Sequence, residues 1–304
     1  MNNANIYTAN AINSMASSNG AATTDSTGVS ISGGLAAGVS LAESKLDVTV
    51  SNDVLGGSVL DGGSVSIGSE ITRGKNDSDA LAAAGALVGV AGSDAESDNT
   101  SSAMTTVSGS TINSGGQVSI TAATSTEQTS KSSGFVIGGL IAAGSNNALS
   151  KSNIDTIAAV TNMNGITAGG LNITSTGDDK NYSTAVAGSG GLVAGAASSS
   201  DTSTTSRTDA YATTTGGAGN KYVIDVSTGL VDVNATHTAN FGGTVDSTQA
   251  SLVGASGADL DHQVRTTVIA ELGDHASVRA SNLTIEAANN VLNRFRNSSG
   301  AVVG

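Results

Sequence analysis

The sequence predicts an all-β protein, an elongated parallel β-helix (β-solenoid) with a sequence repeat of about 53 residues, and two recurring motifs carry this prediction. The first motif is a Gly-rich corner followed by a short alternating strand. Its first apolar residues are Val65, Val118, Leu171, Val231 and Leu283, so the steps are 53, 53, 60 and 52 residues. The second motif is small and apolar. Its leucines are Leu35, Leu87, Leu140, Leu192 and Leu252, with steps of 52, 53, 52 and 60 residues. Two unrelated motifs that keep one period indicate a solenoid or array.

Strands are predicted throughout the repeat. The segment Val118-Ser119-Ile120 alternates apolar and polar residues, as a strand with one buried face does. The best helix candidate is residues 80–89, but its counterparts at 135–141 and 190–195 are too rich in Gly and β-branched residues for a helix. These Gly/Ala strands are small or apolar at both odd and even positions. We therefore expect a tightly packed internal layer, with the five leucines buried in one column. The alternative is an outer face used for lateral contact.

The repeat predicts one continuous solenoid over residues 1–304, with approximate units 28–79, 80–134, 135–186, 187–247 and 248–300. We expect the chain to be a fragment of a longer array. We expect several rungs of ~18 residues per repeat, which, stacked ~4.8 Å apart, would form a rod of roughly 80 Å. One or two wide rungs per repeat would form a shorter and thicker body instead.

One unit is longer than the others, and its extra residues lie between Leu192 and Val231. The best candidate for the insertion is the Gly-rich stretch 214–222. Repeat proteins carry insertions as loops on one face, and loops often hold binding residues. Lys221 and Tyr222 bring a cation and an aromatic ring together there, so they form a possible binding loop.

Composition restricts the classes of function. The net charge is −13 and aromatic residues are 2% of the chain, with no Cys and no Pro. Acidic charge argues against nucleic acid and anionic membrane as partners. Without Cys, disulfides and Cys-based zinc sites are excluded. Absent Pro suits a long series of paired strands. No signal peptide and no apolar run of membrane-helix length is visible.

Candidate chemistry is sparse. Asp94, Glu96 and Asp98 place three carboxylates on one face of a strand, which makes a weak calcium candidate. Their equivalents one unit on are Asn147, Leu149 and Lys151, so the cluster does not repeat. The histidines, His237, His262 and His275, lack metal-ligand spacing. No catalytic constellation and no cofactor-binding motif is found. We therefore expect no enzyme activity and no cofactor.

The order of the motifs resembles a known family. A Gly/Ala/Val strand precedes a polar stretch leading to Thr156-Ile157-Ala158, and the pattern x-Ile-x-x-Gly-Gly-x-Val-x-Ile-x-Ala occupies Ile112–Ala122. This order is similar to the repeats of giant bacterial filamentous adhesins of the filamentous-haemagglutinin and leukotoxin-like type. Those proteins are exported by two-partner secretion or as autotransporter passengers. The resemblance covers roughly residues 28–304, but the family's N-terminal secretion domain has no match in this sequence. It implies a right-handed parallel β-helix, secreted or displayed at the bacterial cell surface, without catalytic residues.

These expectations combine into a structural stalk of a secreted or cell-surface bacterial adhesin that projects a distal binding region. Its partners would be an outer-membrane transporter for export and, through regions outside this chain, a host-cell surface glycan or a matrix protein. Two alternatives remain open. One is a host-glycan or matrix-binding module that acts through the 214–222 loop or a lateral Gly/Ala face. The other is a polysaccharide-active β-helix enzyme.

Overall fold

The computed structural model describes residues 1–214 and 222–303, and all regular structure within them is β-strand. The eleven strands pair in parallel within one sheet system, which confirms the all-β solenoid prediction. The strands are β1 (Asn5–Tyr7), β2 (Ala11–Ile31), β3 (Leu35–Val54), β4 (Val59–Gly62), β5 (Ser64–Ser108), β6 (Thr111–Ser114), β7 (Gln117–Thr161), β8 (Gly165–Thr167), β9 (Gly170–Thr213), β10 (Tyr222–Leu272) and β11 (Ala276–Val303).

Each sequence repeat forms one wide coil. Val65 lies beside Val118, Val118 beside Leu171, and Leu171 beside Val231, so the corner residues form one column, as predicted. The preferred expectation of several short rungs per repeat is wrong. Since coils stack ~4.8 Å apart, the whole body is only roughly 25 Å tall. We name the coils I (β2 and β3), II (β5), III (β7), IV (β9), V (β10) and VI (β11).

Within a coil the chain runs out along one limb and returns along a second limb that faces it. Thr124 and Thr156, 32 residues apart, share a side-chain hydrogen bond of 2.5 Å. Ser183 and Ser200 do the same at 2.7 Å. A limb of about 22 residues at ~3.3 Å per residue is roughly 70 Å long. The cross-section is therefore a long flat loop, with a base where the coils connect and a tip where the limbs meet.

One left-handed residue turns the chain at the base of successive coils. Gly56 (φ 45°), Gly109 (φ 60°) and Asn162 (φ 51°) are each 53 residues apart. Gly and Asn adopt this conformation at the lowest steric cost. The amide of Gly109 donates to the carbonyl of Thr161 at 3.1 Å, so the ladder of hydrogen bonds continues through the turn. The short strands β4, β6 and β8 follow these turns, and together with β1 and the start of β10 they close the base.

The interior changes from apolar at the base to polar in the middle and to small residues near the tip. The base holds Ile67, Ile120 and Ile173, all fully buried. Ser, Thr, Asn and Gln fill the middle, and alanines such as Ala84 and Ala91 line the interior near the tip. Small side chains allow the two limbs to approach closely there. A Cβ added to Gly138, at the tip of coil III, would lie 2.1 Å from the carbonyl oxygen of Ile141.

The leucines of the second motif are not buried, contrary to expectation. Leu35, Leu87, Leu140, Leu192 and Leu252 lie at the tip and are 46 to 70% exposed. The predicted register is present, because Val88 lies beside Ile141 and Ile141 beside Val193. The chain reverses at this point, so neighbouring side chains point outward around a bend. Two-sided small residues therefore mark a turn rather than an internal layer.

The register also locates the insertion. Thr213 pairs with Thr161 on the neighbouring coil, and Ile224 pairs with Ile166. The step from Thr213 to Ile224 is therefore eleven residues, whereas the equivalent step from Thr161 to Ile166 is five. Two further residues are accommodated by an irregularity between Val226 and Leu230. The prediction that the extra residues fall between Leu192 and Val231 is confirmed. Residues 215–221 lie outside the described part of the chain.

The close approach of the limbs predicts that the interior will not accept larger side chains. Ala80 is fully buried and contacts Ala95 across the interior, whereas Ala83, three residues on in the same strand, points outward. We expect Ala80→Leu to lower the free energy of unfolding by about 1–3 kcal/mol through overpacking. Ala83→Leu, the control, should change it by less than about 0.5 kcal/mol. Equal melting temperatures for the two variants would contradict the assigned interior.

Candidate functional surface

Amide side chains connect the two limbs through the polar middle of the interior. Asn76, Gln128 and Asn181 form one column in coils II, III and IV. The Asn181 amide donates to the carbonyls of Ser150 (3.2 Å) and Ser203 (3.1 Å) on the opposite limb. Asn76 donates to two opposite carbonyls in the same way. These side chains are buried, so their role is to hold the limbs at a fixed distance.

One carboxyl group lies in the same zone. Asp179 is fully buried, and its oxygens accept hydrogen bonds from Ser152 (2.7 Å), Thr126 and Ser206 (both 3.1 Å) and the amide of Gln128 (3.2 Å). Burial raises the pKa of Asp179 to about 6, although these hydrogen bonds oppose the shift. The donors are neutral, so no ion pair compensates the desolvation of the charged form.

The alternation that starts at Leu171 and Ile173 already predicts an inward position for residue 179, because strand side chains repeat with period two. Leu171 and Ile173 are fully buried, and so is Asp179. Counting from the corner motif would therefore have found this interior carboxyl group.

The calcium candidate is not assembled. Asp94, Glu96 and Asp98 do share the outer face of one limb, but alternate side chains of a strand lie roughly 6.6 Å apart along it. Glu96 forms a salt bridge of 2.5 Å with Lys151, and Asp94 accepts a 3.0 Å hydrogen bond from Asn147. Ca²⁺ requires six to eight oxygens at about 2.3–2.6 Å. No group of three His, Asp or Glu residues within the described residues can hold a metal ion.

The proposed binding pair at the insertion is also corrected. Tyr222 is buried, and its hydroxyl donates to the carbonyl of Ala212 at 2.8 Å. Burial raises its pKa to about 12, with a smaller contribution from Glu271. The ring therefore packs in the base of coil V and is not presented to a ligand. Lys221 lies outside the described residues.

The histidines occupy separate places in coil V and the turn that follows it. His237 is buried, with Nδ1 3.0 Å from the Thr208 hydroxyl, and burial lowers its pKa. His262 stacks on Phe295 with ring centroids 4.5 Å apart. His275 is the left-handed residue between β10 and β11, with φ of 64°. They do not converge on a common site.

Outer faces of the limbs carry most of the charge. Pairs such as Lys75–Asp77 and Lys180–Asp178 lie within single strands, and Lys151–Glu96 joins two coils. Near the base of the second limb, Arg207 pairs with the buried Asp209 at 2.5 Å. Burial raises the pKa of Asp209, and Arg207 opposes this rise. The three lysine pairs, which are partly exposed, contribute roughly 0–1 kcal/mol each, so they keep the outer faces hydrated more than they stabilise the fold.

The tip differs from both faces. We define the tip edge as residues 29–37, 83–90, 135–143, 188–195 and 248–255, which the register aligns in coils I to V. Its large exposed side chains are Val29, Ile31, Leu35, Leu87, Val90, Phe135, Ile137, Leu140, Ile141, Leu192, Val193, Leu252 and Val253. Such a contiguous row of exposed apolar residues is the most unusual surface in the described part of the molecule.

Comparisons with protein-family models, with curated proteins and with solved structures found no match to this chain. None of the described residues belongs to a helix that is long and apolar enough to cross a membrane.

The buried carboxyl group predicts a pH dependence of stability. The folded-state pKa of Asp179 is about 6, above the unfolded value of about 3.9. Its contribution to stability is therefore fully present below about pH 3.9 and is lost as pH rises through about 6. Between pH 4 and 7 this effect lowers the free energy of unfolding of the wild type by up to about 3 kcal/mol, and replacing Asp179 with Asn should remove that decrease. Melting temperatures across this range measure it.

Asp178→Asn is the matched control for this variant. Asp178 is on the outer face of the same strand, 3.4 Å from Lys180, so we expect the wild-type pH profile to persist. Identical profiles for the wild type and Asp179→Asn would contradict the buried, uncompensated carboxyl group.

The spread of the acidic residues on the outer face predicts that calcium does not stabilise the protein. Adding millimolar CaCl₂ should leave the melting temperature within the change produced by MgCl₂ at equal ionic strength, because no described cluster chelates the ion. A calcium-specific rise that Glu96→Gln abolishes would instead establish a site at Asp94, Glu96 and Asp98.

Proposed function

We propose that this chain is a structural stalk of a secreted or cell-surface bacterial adhesin of the filamentous-haemagglutinin type, which projects a distal binding region. The supporting observation is the parallel pairing that continues, with local register shifts, from coil II to coil VI, so that each coil is the template for the next. The proposal assigns the chain no catalytic residue and no cofactor. Export would use an outer-membrane transporter, and host glycan or matrix contacts would lie in other parts of the protein.

The mechanical argument follows from the direction of the hydrogen bonds. In a parallel solenoid the backbone bonds point along the stacking axis. Coils III and IV are paired from Gln117 with Gly170 to Thr161 with Thr213. A force along the axis is therefore shared by the bonds of the whole coil. The same pairing leaves few backbone groups free for a protease to bind.

The wide coil also sets the proportions of such a stalk. Each repeat of about 53 residues adds only ~4.8 Å of height, while the limbs are roughly 70 Å long. The stalk would thus be a broad blade. A blade of this shape resists bending in the plane of its limbs, because the paired strands at base and tip are far apart. Its length per residue is small, so a long projection would need a large protein.

A stalk should tolerate removal of a whole coil. Deleting residues 117–169 joins Gly116 to Gly170 and places coil II directly beside coil IV in the native register. We expect the β-sheet circular dichroism and cooperative melting to be retained. Deleting residues 117–143 instead removes one limb and breaks the register, so this control should melt at a lower temperature and without cooperativity.

The second part of the experiment measures attachment by bacterial cells that display the full-length protein. If this chain is a stalk, the deletion of residues 117–169 should leave attachment to host cells or matrix within about twofold of wild type. Loss of attachment by a variant that still folds and reaches the surface would contradict the stalk and favour a binding module.

A further inference from the structure

The tip edge is built as a surface that excludes charge. Residues 26–42, 80–93, 132–150, 181–200 and 247–258 contain no Asp, Glu, Lys, Arg or His. Each segment is centred on the tip of its own coil, and the register places the segments side by side. The chain has a net charge of −13, so this band interrupts an otherwise acidic surface. Stacking converts five uncharged segments into one uncharged edge.

The apolar side chains on this edge are exposed by the fold itself. In the inner coils, Leu87, Leu140 and Leu192 are 46 to 52% exposed although coils lie on both sides of them. Interior positions next to the tip hold mostly alanines, such as Ala84 and Ala91, with Val136 as the largest buried side chain among them. Little room is therefore left inside for the tip leucines. Folding of one chain does not explain why these residues are apolar, because it leaves them about half exposed to water.

The area of this edge reaches that of a stable interface. Its large side chains together expose apolar surface on the order of 1,000 Å², above the roughly 300–600 Å² of the largest patch on a typical monomer. A standard interface buries about 800 Å² on each partner. The edge is thus large enough to hold a partner by apolar contact alone.

We infer that the tip edge binds the tip edge of a second copy of this chain, so that two solenoids associate side by side. Two molecules of the same negative charge repel each other, and this edge is the part of the surface where they can meet without bringing like charges together. Both copies also carry side chains at the same ~4.8 Å spacing, so contacts made by one coil recur at the next.

The shape of the tip edge, which has both projecting and recessed positions, suits contact with a second tip edge. Phe135 and Ile137 of coil III project from it, whereas the residues at the same register in coil IV are Gly188 and Gly190. A shallow depression beside Phe135 is lined by Gly188, Ser189, Gly190 and residues 248–250. Projecting and recessed positions thus occur on one surface, as a self-complementary interface requires.

A lipid surface fits the edge less well. Segments that bind at a membrane interface carry Lys or Arg beside their apolar residues and often Trp or Tyr. The tip edge has neither, and the acidic residues that border it, such as Glu43, Asp94 and Asp246, would be repelled by anionic lipid. This inference does not depend on the proposed stalk role, because it concerns the described coils alone.

Association is tested by sedimentation velocity of the 304-residue chain from about 1 to 100 μM. We expect a monomer–dimer equilibrium in the wild type. The double variant Leu140→Asp, Leu192→Asp places charges on two half-exposed residues, so the fold should be retained while dimerisation weakens at least about tenfold. Its control, Asn153→Asp with Thr205→Asp, adds the same charge to exposed positions on the outer face of a limb and should dimerise as the wild type does.

A second readout does not depend on the charge variants. The chain has no Cys, so Leu140→Cys introduces a single thiol at the tip, and mild oxidation should yield a disulfide-linked dimer far faster than with Thr205→Cys. A wild type that stays monomeric at 100 μM, with equal cross-linking of the two Cys variants, would overturn the inference. Flotation of that monomer with phosphatidylcholine vesicles would assign the edge to lipid instead.

Discussion

Vertical register between coils is the constraint on which the rest of this structure depends. In the inner coils, paired residues lie 52 to 60 positions apart in the sequence, on the coil above or below, and not within the same coil. The partners of every residue are thereby set by the period alone. Backbone groups are satisfied whatever side chains lie between the limbs, and this permits an interior that is rich in Ser, Thr and Asn.

The interior shows how a chain with few large side chains can still fold. Large apolar residues are concentrated at the base, where Ile67, Ile120 and Ile173 form a column. Farther out, hydrogen bonds between the limbs replace apolar contact, as at Asn181. Toward the tip the limbs approach so closely that mostly Ala and Gly, with Val136, fill the remaining space. The same narrowing excludes the tip leucines from the interior and creates the exposed apolar edge.

Sequence reasoning predicted which residues share a column, because a period states directly which positions stack. It also predicted inward and outward positions wherever side chains alternate, as at Val118 and Ile120, both fully buried. It did not predict the path within one period. Spacing alone does not distinguish three short rungs from one wide coil. The structure decides for the wide coil, because residues one full repeat apart, such as Val65 and Val118, are direct neighbours, and one left-handed turn recurs in each repeat at Gly56, Gly109 and Asn162.

The assignments of Leu140 and Tyr222 are wrong for a related reason. Leu140 and Tyr222 were assigned by residue type, the first as core and the second as a ligand contact, and the structure reverses both assignments. At the tip, the turn breaks the alternation that separates inside from outside. At the insertion, the residue that follows the extra segment already belongs to the base of coil V. Asp94, Glu96 and Asp98 share a face, but a strand spaces them too widely to chelate one ion.

The central claim is that one repeat forms one coil, and a pair of engineered disulfides tests it most directly. Ser66 and Ser119 are neighbours on adjacent coils and point outward, so Ser66→Cys with Ser119→Cys should form a disulfide, since paired strands lie within bonding distance. Ser66→Cys with Ala83→Cys should form none, because these positions are roughly 55 Å apart along one limb. Ready cross-linking of the second pair and failure of the first would contradict the wide coil and indicate several short rungs in each repeat.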